Sequence, residues 1–444
     1  MVYHCTGNLN STTMHKIKLS DTNITPFGGL NTIYEAMTSK GLDKFFNEQL
    51  GLRSPFAKYS HSDVVYSLFG NALVQGSFIS DLQILKEKFA DQVFNKIPSP
   101  DTIEYVCQAL KTETVTKTSD AGIVHKFNYS DPMNETLIAL ALKTGQLKIG
   151  NNGYTLDFDN VVMENDKQDA MYTYKKGVKG YHPNLAFIGR VPVHIENHNG
   201  NTPAAYEQKD TLERCFENMK KAGVEITNFR ADSASYQKEV ITLAKKHAKH
   251  FYIRLDDCAG VRKKCGQVKE WKKVLINNIN KEVASIEYVP FASKGGTDVY
   301  RVVVTRTAKK DKQIDMECGT AYNYYGIITD DRAQDEKEVI EFYNQRGDSE
   351  NSNRNILADF NLHHLPFPDM CTNTVYMYLM AMCTTLFEWI KSILVANKTL
   401  GITLSMRVKA VCFRYITVAS TFITHSREKI LKIFSTQKYE TLKI

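Results

Sequence analysis

Residues 154–162 read YTLDFDNVV, an apolar run that two acids interrupt. Apolar residues alternate here in the manner of a β-strand, so Asp157 and Asp159 fall on one face of that strand, two residues apart. A carboxylate within an apolar strand must be paired with a cation, bound to a metal ion or neutralised. The two acids therefore mark a candidate site, and the alternative for either one is an exposed strand end.

The segments around this strand predict an α/β domain. Helical spacing at 206–222 and 235–249 alternates with β-like runs at 154–163, 185–188, 191–195, 226–231 and 250–255. The resulting order is strand, strand, strand, helix, strand, helix, strand. A basic segment interrupts it, and within that segment two alternating runs, 283–289 and 299–305, predict a β-hairpin. The α/β pattern then resumes with a strand at 324–329 and a helix at 335–357.

Changes of period along the chain predict its organisation. Residues before 147 show helical spacing with few strand-like runs, which suggests a helical domain. The predicted parts are a flexible N-terminus (1–20), a helical domain (21–147), the first part of an α/β core (148–255), a basic β-hairpin insertion (256–320), the second part of the core (321–400) and a helical C-terminal segment (401–444).

Two further acids stand where a site would need them. Asp232 ends the predicted strand at 226–231, and ligands bind at the carboxyl ends of strands in open α/β sheets. Capping of the next helix is the ordinary alternative. Glu350 follows the last strand on a predicted helix and shares a face with Arg346 and Arg354, at a spacing of four residues. A solvated salt-bridge ladder would explain that spacing equally well.

Taken together, the three acids indicate one chemistry. Oxygen ligands without His or Cys companions suit hard cations such as Mg²⁺. Two such ions can hold both the attacking and the leaving oxygen during phosphoryl transfer. The combination predicts cleavage of a phosphodiester.

The chain resembles the DDE-type transposases of bacterial insertion sequences. Tyr343, Arg346 and Glu350 match the Tyr-x-x-Arg-x-x-x-Glu pattern of that group. Among them it is most similar to the thirteen-eighty insertion-sequence family, which has an Asp-x-Asp strand followed by a turn that here reads YKKGVKGYHP at 174–183. The segments RAD at 230–232 and FNLHHLPF at 360–367 match as well, so that the resemblance runs from about residue 154 to 390.

The resemblance implies an RNase H-like fold for the catalytic core, with acids on the first strand, the fourth strand and a late helix. It also implies that the helical domain at 21–147 binds DNA. It assigns Asp159, Asp232 and Glu350 to two Mg²⁺ ions, for which Mn²⁺ can substitute. The enzyme would cut double-stranded DNA at the terminal inverted repeats of its element and join the ends to target DNA, as a homodimer or a larger synaptic complex. Asp157 stays open as the alternative first acid.

Two departures from the family pattern limit what the resemblance carries over. Asn160 and Val161 follow the first acid where many members have Thr or Ser. Leu357 stands seven residues after Glu350 where many have Lys, and Arg354 is expected to take over that phosphate contact.

Charge distribution predicts the DNA-binding residues. The chain has a net charge of +7, and residues 261–312 hold thirteen Lys or Arg against five Asp or Glu, a local +8. Lys and Arg side chains are expected to contact phosphates, and an aromatic residue among them is expected to stack on a base. The family pattern predicts further contacts near the cut. The residues are Arg262, Lys263, Lys264, Lys272 and Lys273; Trp271; Lys175, Lys176 and Lys179; and Tyr343, Arg346 and Arg354. The alternatives are solvated charges, a Trp271 buried under the hairpin, and an Arg346 paired with Glu350.

Composition bounds the setting. Nine cysteines without a Cys-x-x-Cys pair argue against a zinc finger and fit a reducing compartment. The start lacks the pattern of a signal peptide, so a place on the bacterial nucleoid in the cytoplasm is expected. Residues 375–387 are predicted to form a buried helix and not a membrane span. Two other functions stay open: a metal-dependent nuclease without strand transfer, and a DNA-binding regulator derived from a transposase.

Overall fold

The computed structural model describes most of the chain: residues 23–89, 92, 94–173, 177–255, 258–309, 321–347, 355–436, 439 and 442. The predicted flexible N-terminus, 1–20, lies outside these residues. The helices are α1 (Gly28–Ser39), α2 (Leu42–Gln49), α3 (His61–Leu73), α4 (Leu82–Lys88), α5 (Pro100–Leu110), α6 (Asp131–Lys143), α7 (Gln208–Lys221), α8 (Lys238–His247), α9 (Ala259–Gly266), α10 (Glu336–Asn344), α11 (Met370–Ala396) and α12 (Val408–Val411).

The strands form one large sheet and two small ones within the described residues. They are β1 (Val115–Thr118), β2 (Val124–Asn128), β3 (Gly150–Asn160), β4 (Met163–Glu164), β5 (Met171–Tyr172), β6 (Lys179–Tyr181), β7 (Asn184–Ile188), β8 (Val191–His198), β9 (Val224–Ala231), β10 (Ala248–Arg254), β11 (Lys272–Ile276), β12 (Ile279–Tyr288), β13 (Tyr300–Ala308), β14 (Tyr322–Thr329), β15 (Ala419–His425) and β16 (Glu428–Phe434). The large sheet has the order β1-β2-β8-β7-β3-β9-β10-β14-β13-β12-β11.

The centre of the large sheet has an RNase H-like order. Strands β3, β7 and β8 form an antiparallel meander. Strand β9 then pairs parallel to β3 on its other side, and β10 pairs parallel to β9. In chain order these five strands lie third, second, first, fourth, fifth. The predicted α/β class is confirmed, and so is the predicted succession along the chain, which is β3, β7, β8, α7, β9, α8 and β10.

The basic insertion continues this sheet and does not stand apart from it. Strand β14 pairs antiparallel to β10, and β13, β12 and β11 follow in an antiparallel meander. The predicted hairpin is confirmed as β12–β13, in which Val283 lies opposite Thr305. Helix α9 and strand β11 were not predicted. The hairpin has a further strand on each side: β13 pairs with β14, whose edge would otherwise present unpaired backbone groups, and β12 pairs with β11.

Among the described residues, three clusters of buried apolar residues hold the layers together, and one of them lies between α10 and the outer strands, where Val303 and Ile340 belong to it. Helices α7 and α8 cover the sheet with residues such as Phe216, which packs against Phe229 of β9. The N-terminal helices and α11 share another cluster, to which Phe69 and Met377 belong. Residues 21–147 therefore do not pack as a body of their own. Helix α11 is long and apolar enough to cross a membrane, but 83% of its most apolar window is buried inside the protein, as predicted for 375–387.

Two segments that were expected to be helical contain hairpins. Strands β1 and β2 pair around a turn at Gly122, which has φ +76°, and β2 adds to the edge of β8. Strands β15 and β16 pair around Ser426 and Arg427, which both have positive φ (50° and 70°). A two-residue loop with two positive φ values joins antiparallel strands without disturbing their twist. The prediction of a helical C-terminal segment is wrong for these residues.

Candidate active site

Strand register places Asp159 and Asp232 next to each other. Phe158 pairs with Ala231 in the parallel ladder of β3 and β9. The next residue after each of them is an acid, Asp159 after Phe158 and Asp232 after Ala231. Neighbouring strands lie about 4.8 Å apart. Both acids are partly exposed. They occupy the carboxyl ends of two parallel strands, which is the edge of an α/β sheet that binds ligands.

Asp232 also shapes the turn that follows β9. Its Oδ1 accepts a hydrogen bond from the backbone N–H of Ala234 at 3.0 Å, at the start of the turn Ser233–Ser235. Asp232 therefore caps this short turn with one carboxylate oxygen, whereas the helix that follows, α8, begins only at Lys238 and is not capped by Asp232. Such a bond holds the side chain in one orientation at the sheet edge.

Asp157 lies on the same strand face as Asp159 but has a different environment. It pairs across the ladder with Arg230, whose Nε and Nη2 donate to its two carboxylate oxygens at 2.7 Å each. Both side chains are buried, with 4% of Asp157 and 7% of Arg230 exposed. A bidentate ion pair of this kind satisfies both oxygens of the carboxylate.

Helix α10 brings Tyr343 and Arg346 to the same edge. The Tyr343 hydroxyl donates to the carbonyl oxygen of Ala231 at 3.1 Å, and the ring is buried. Burial raises the pKa of Tyr343 above its ordinary value, so this hydroxyl stays a donor. Arg346, two residues beyond α10, donates from Nη2 to Oδ1 of Asp159 at 3.0 Å. Tyr343 therefore holds backbone beside Asp232, and its predicted contact with DNA does not fit its burial.

Several predicted site residues lie outside the described part of the chain. They are Glu350, Arg354, Lys175 and Lys176. Within the described part, no three His, Cys, Asp or Glu side chains form a group that could hold a metal ion. The described edge thus supplies two of the three predicted acids. The predicted helix at 335–357 is present as α10 and a π-helical turn at Asn355–Asp359, on either side of the residues left undescribed.

Comparison with known proteins identifies the family. The family described as transposase DDE domain, group 1, matches residues 22–442. The chain belongs to this family. It is therefore a DDE-type transposase, and the predicted enzyme class is confirmed. No curated protein matches the chain.

Two solved transposases were also found by structural comparison. A cryo-EM structure of a piggyBac transposase synaptic complex with hairpin DNA is similar over 88% of this chain and 80% of that one, with 14% sequence identity and a TM-score of 0.43. A Drosophila P element transposase strand transfer complex is similar over 55% of this chain and 53% of that one, with 12% identity and a TM-score of 0.24. The fold assignment of this transposase rests on its own strand order.

The predicted basic contacts of the transposase have unequal environments. Lys263 and Lys273 are exposed, and Arg262 is partly buried. Lys264 donates to the backbone carbonyl of Glu287, and Lys272 pairs with Glu336 at 2.9 Å. Lys179, the first residue of β6, is exposed, with Nζ 5.6 Å from the ring centroid of Tyr172.

Trp271 has its ring covered by neighbouring side chains. The guanidinium of Arg306 lies over it at 4.4 Å, and the Tyr324 ring is 6.0 Å away. A base could stack on this face only if Arg306 moved away. The arrangement agrees with the alternative in which Trp271 packs under the insertion, and we leave it out of the proposed DNA contacts.

Arg230 is the site residue that the sequence analysis did not single out. It was quoted only as part of the RAD segment at 230–232. A signal was nevertheless present, because Arg230 precedes Asp232 by two residues as Asp157 precedes Asp159. An acid and a base at equal distances before the ends of two parallel strands can face each other across the ladder.

Proposed function

We propose that this transposase belongs to a bacterial insertion sequence, binds the terminal inverted repeats of its element, cleaves the DNA with Asp159, Asp232 and Glu350, and joins the ends to target DNA. The observation that carries the proposal is the register of β3 and β9, which sets Asp159 beside Asp232. Asp159 is preferred to Asp157 because both oxygens of Asp157 are bonded to buried Arg230. A carboxylate engaged in this way is poorly placed to accept a metal ion.

The donor set fits divalent metal ions. Asp159 and Asp232 present carboxylate oxygens at a partly exposed edge, which suits Mg²⁺ or Mn²⁺. Glu350 lies four residues after Arg346, a spacing that would return it to the Arg346 side of a continued helix. When bound, two such ions supply the charge that activates water and stabilises the leaving oxygen. Asp159, Asp232 and Glu350 would hold them.

Arg346 would act on the DNA backbone beside these acids. Its guanidinium lies 3.0 Å from Asp159, so that a phosphate reaching the acids also reaches a cation. A guanidinium binds phosphate with two parallel hydrogen bonds. In this proposal Arg346 orients the phosphate and offsets its charge, Arg354 adds a second cation, and Lys175, Lys176, Lys179 and the exposed lysines of the insertion contact DNA farther from the cut.

Purified full-length protein and DNA that carries one element end test the proposal. With Mg²⁺ or Mn²⁺ we expect cleavage at the end, and with added target DNA, joined products. Asp159→Asn, Asp232→Asn and Glu350→Gln should each abolish cleavage and leave DNA binding in a gel-shift assay unchanged. Glu350→Gln protein that still cuts would remove Glu350 from the site.

The same experiment separates the other two functions. Metal-dependent nicking without joined products would identify a nuclease. Specific binding without cleavage in either metal would identify a DNA-binding regulator. Inverted repeats that flank the gene, bordered by short target duplications, would support the insertion-sequence assignment independently of the biochemistry.

A further inference from the structure

The guanidinium of Arg230 contacts two further elements besides its own strand, and all three converge on the acidic edge. On β3 it bonds both oxygens of Asp157, two residues before Asp159. On α10 it donates from Nη1 to the backbone carbonyl of Phe342 and lies 4.7 Å from the centroid of that ring. Arg230 itself stands on β9, two residues before Asp232. One buried side chain thus joins both acid-bearing strands to the helix that leads to Arg346.

A second contact fixes the same helix one residue later. The Tyr343 hydroxyl donates to the carbonyl of Ala231, between Arg230 and Asp232. Two successive residues of α10 therefore bond to two successive residues of β9. Contacts at adjacent helix positions, about 100° apart around the axis, restrict rotation as well as sliding of the helix.

Directional bonds explain why a charged pair occupies this place. Apolar side chains would fill the same volume, but their attraction is not directional and tolerates small shifts of a helix on a sheet. The guanidinium of an arginine is planar, so its edge can donate two hydrogen bonds to a carboxylate while its face stacks on an aromatic ring. Residues that hold a reacting constellation need this precision, because a displacement of about 1 Å can cost about 10²-fold in rate.

We infer that Asp157 and Arg230 form a positioning pair, which locks α10 onto β3 and β9 and so sets Arg346, just beyond that helix, against Asp159 at the edge that Asp232 shares. The inference rests on the proposed function, since it assumes that the two acids and this arginine act at one site. Neither member of the pair touches substrate or metal in this assignment.

The test replaces both charges at once, so that neither is left buried alone. The full-length Asp157→Leu/Arg230→Met variant should fold, because apolar residues of similar volume commonly replace a buried ion pair without loss of stability. We expect its cleavage rate at saturating DNA and metal to fall about 10²-fold, with DNA affinity within about twofold of wild type. Its affinity for Mn²⁺ alone, measured by electron paramagnetic resonance without DNA, should weaken about tenfold. Arg230→Lys keeps the positive charge but loses the two-pronged guanidinium. Its cleavage rate and its Mn²⁺ affinity should lie between those of wild type and those of the double variant.

A second buried ion pair provides the matched control. Glu388 and Lys391 pair at 2.6 Å within α11 and are also shielded from solvent. Lys391 also donates to the carbonyl of Met406, and among the described residues no hydrogen bond joins this pair to β3, β9 or α10. Glu388→Leu/Lys391→Met should cleave and bind Mn²⁺ as wild type does. An equal loss in this control would mean that any buried ion pair has the effect, and would overturn the inference.

Other outcomes also decide it. The inference would be overturned if the Asp157→Leu/Arg230→Met protein folds and keeps wild-type cleavage and Mn²⁺ affinity. If that variant fails to fold, Arg230→Lys decides, and wild-type values of its cleavage rate and Mn²⁺ affinity would overturn the inference. If wild-type protein does not cleave DNA, the proposed function fails by itself. The Mn²⁺ affinities of the same variants still decide whether the pair positions the acids.

Discussion

The inner and outer halves of the large sheet each contain an ion pair, and these two pairs differ in their exposure to solvent. In the inner half, strands β8, β7, β3, β9 and β10, the pair Asp157–Arg230 is at most 7% exposed. In the outer half, strands β14, β13, β12 and β11, the pair Glu287–Arg332 is more than half exposed at each member. Buried charges keep their partners because desolvation penalises every alternative, whereas exposed charges exchange partners readily. In the proposed function the inner half holds the acids in fixed places, and the outer half contacts DNA through its exposed charges.

The largest effect should come from breaking the inner pair on one side only. Asp157→Ala leaves Arg230 buried without its carboxylate, and we expect the free energy of unfolding to fall by about 3–5 kcal/mol. Urea denaturation followed by circular dichroism measures it. The matched change in the outer half, Glu287→Ala, should leave the urea midpoint nearly unchanged. Equal losses in the two variants would contradict the contrast between the two halves.

A smaller effect is expected where the outer half has its own packing. Trp271→Ala removes contacts with Tyr324 and Arg306, which should lower the free energy of unfolding by about 1–2 kcal/mol. DNA affinity of the folded variant should stay within about twofold of wild type. A large loss of affinity for single-stranded DNA, without a loss of stability, would instead restore the predicted stacking role of Trp271.

Much of the inner half was predictable, because it follows from local patterns. Alternation and turn residues located β3, β7, β8, β9 and β10 in the right order. The outer half was predictable only in part. Val283 to Val289 alternates clearly, but β11 has its apolar residues next to lysines, and its place in the sheet depends on pairing with β12. Hairpin β1–β2 was missed because its strands are short and β2 depends on pairing with β8, which is distant in sequence. Hairpin β15–β16 forms a two-stranded sheet of its own, and its turn at Ser426 and Arg427 lacks the Gly or Asn that usually marks such a turn.

The candidate site shows the same division. Asp159 and Asp232 were found because an acid at a strand end is visible in the sequence. Their adjacency and the partner of Asp157 depend on strand register, which single-sequence patterns do not give. Tyr343 and Arg346 were expected to contact DNA from a family pattern. Burial of Tyr343 and its bond to Ala231 arise from how α10 packs on the sheet, and this packing is a tertiary property.

Salt dependence separates the exposed lysines of the outer half from lysines elsewhere. Lys263→Gln/Lys273→Gln should reduce the slope of log affinity for DNA against log salt concentration by about 2, since each phosphate contact contributes about 0.9. Fluorescence anisotropy with labelled duplex DNA between low and moderate salt measures the slope. The control is Lys220→Gln/Lys249→Gln, which should leave the slope unchanged. Both of these lysines are exposed and lie near the amino ends of β9 and β10, at the edge of the sheet away from the acids. An unchanged slope in the first variant would place its lysines off the DNA.

The smallest expected effect is a local response of the outer half to acid. Glu282 accepts a hydrogen bond from Nε of Arg306 at 2.7 Å, and this bond lowers the pKa of Glu282. A carboxyl with a lowered folded-state pKa contributes its stabilisation fully above its unfolded value, about 4.3, and loses it as pH falls through the lower folded value. Because Arg306 also covers Trp271, protonation of Glu282 should change the environment of that indole.

Tryptophan fluorescence reports this step if Trp271 is the only emitter. The chain has two tryptophans, and Trp389→Phe removes the other, which is buried in α11. We expect the emission of this variant to shift between about pH 4.3 and the onset of acid unfolding. Adding Glu282→Gln should remove the shift, because the amide does not titrate and cannot release Arg306 with pH. If the shift persists, a carboxyl other than that of Glu282 controls the position of Arg306.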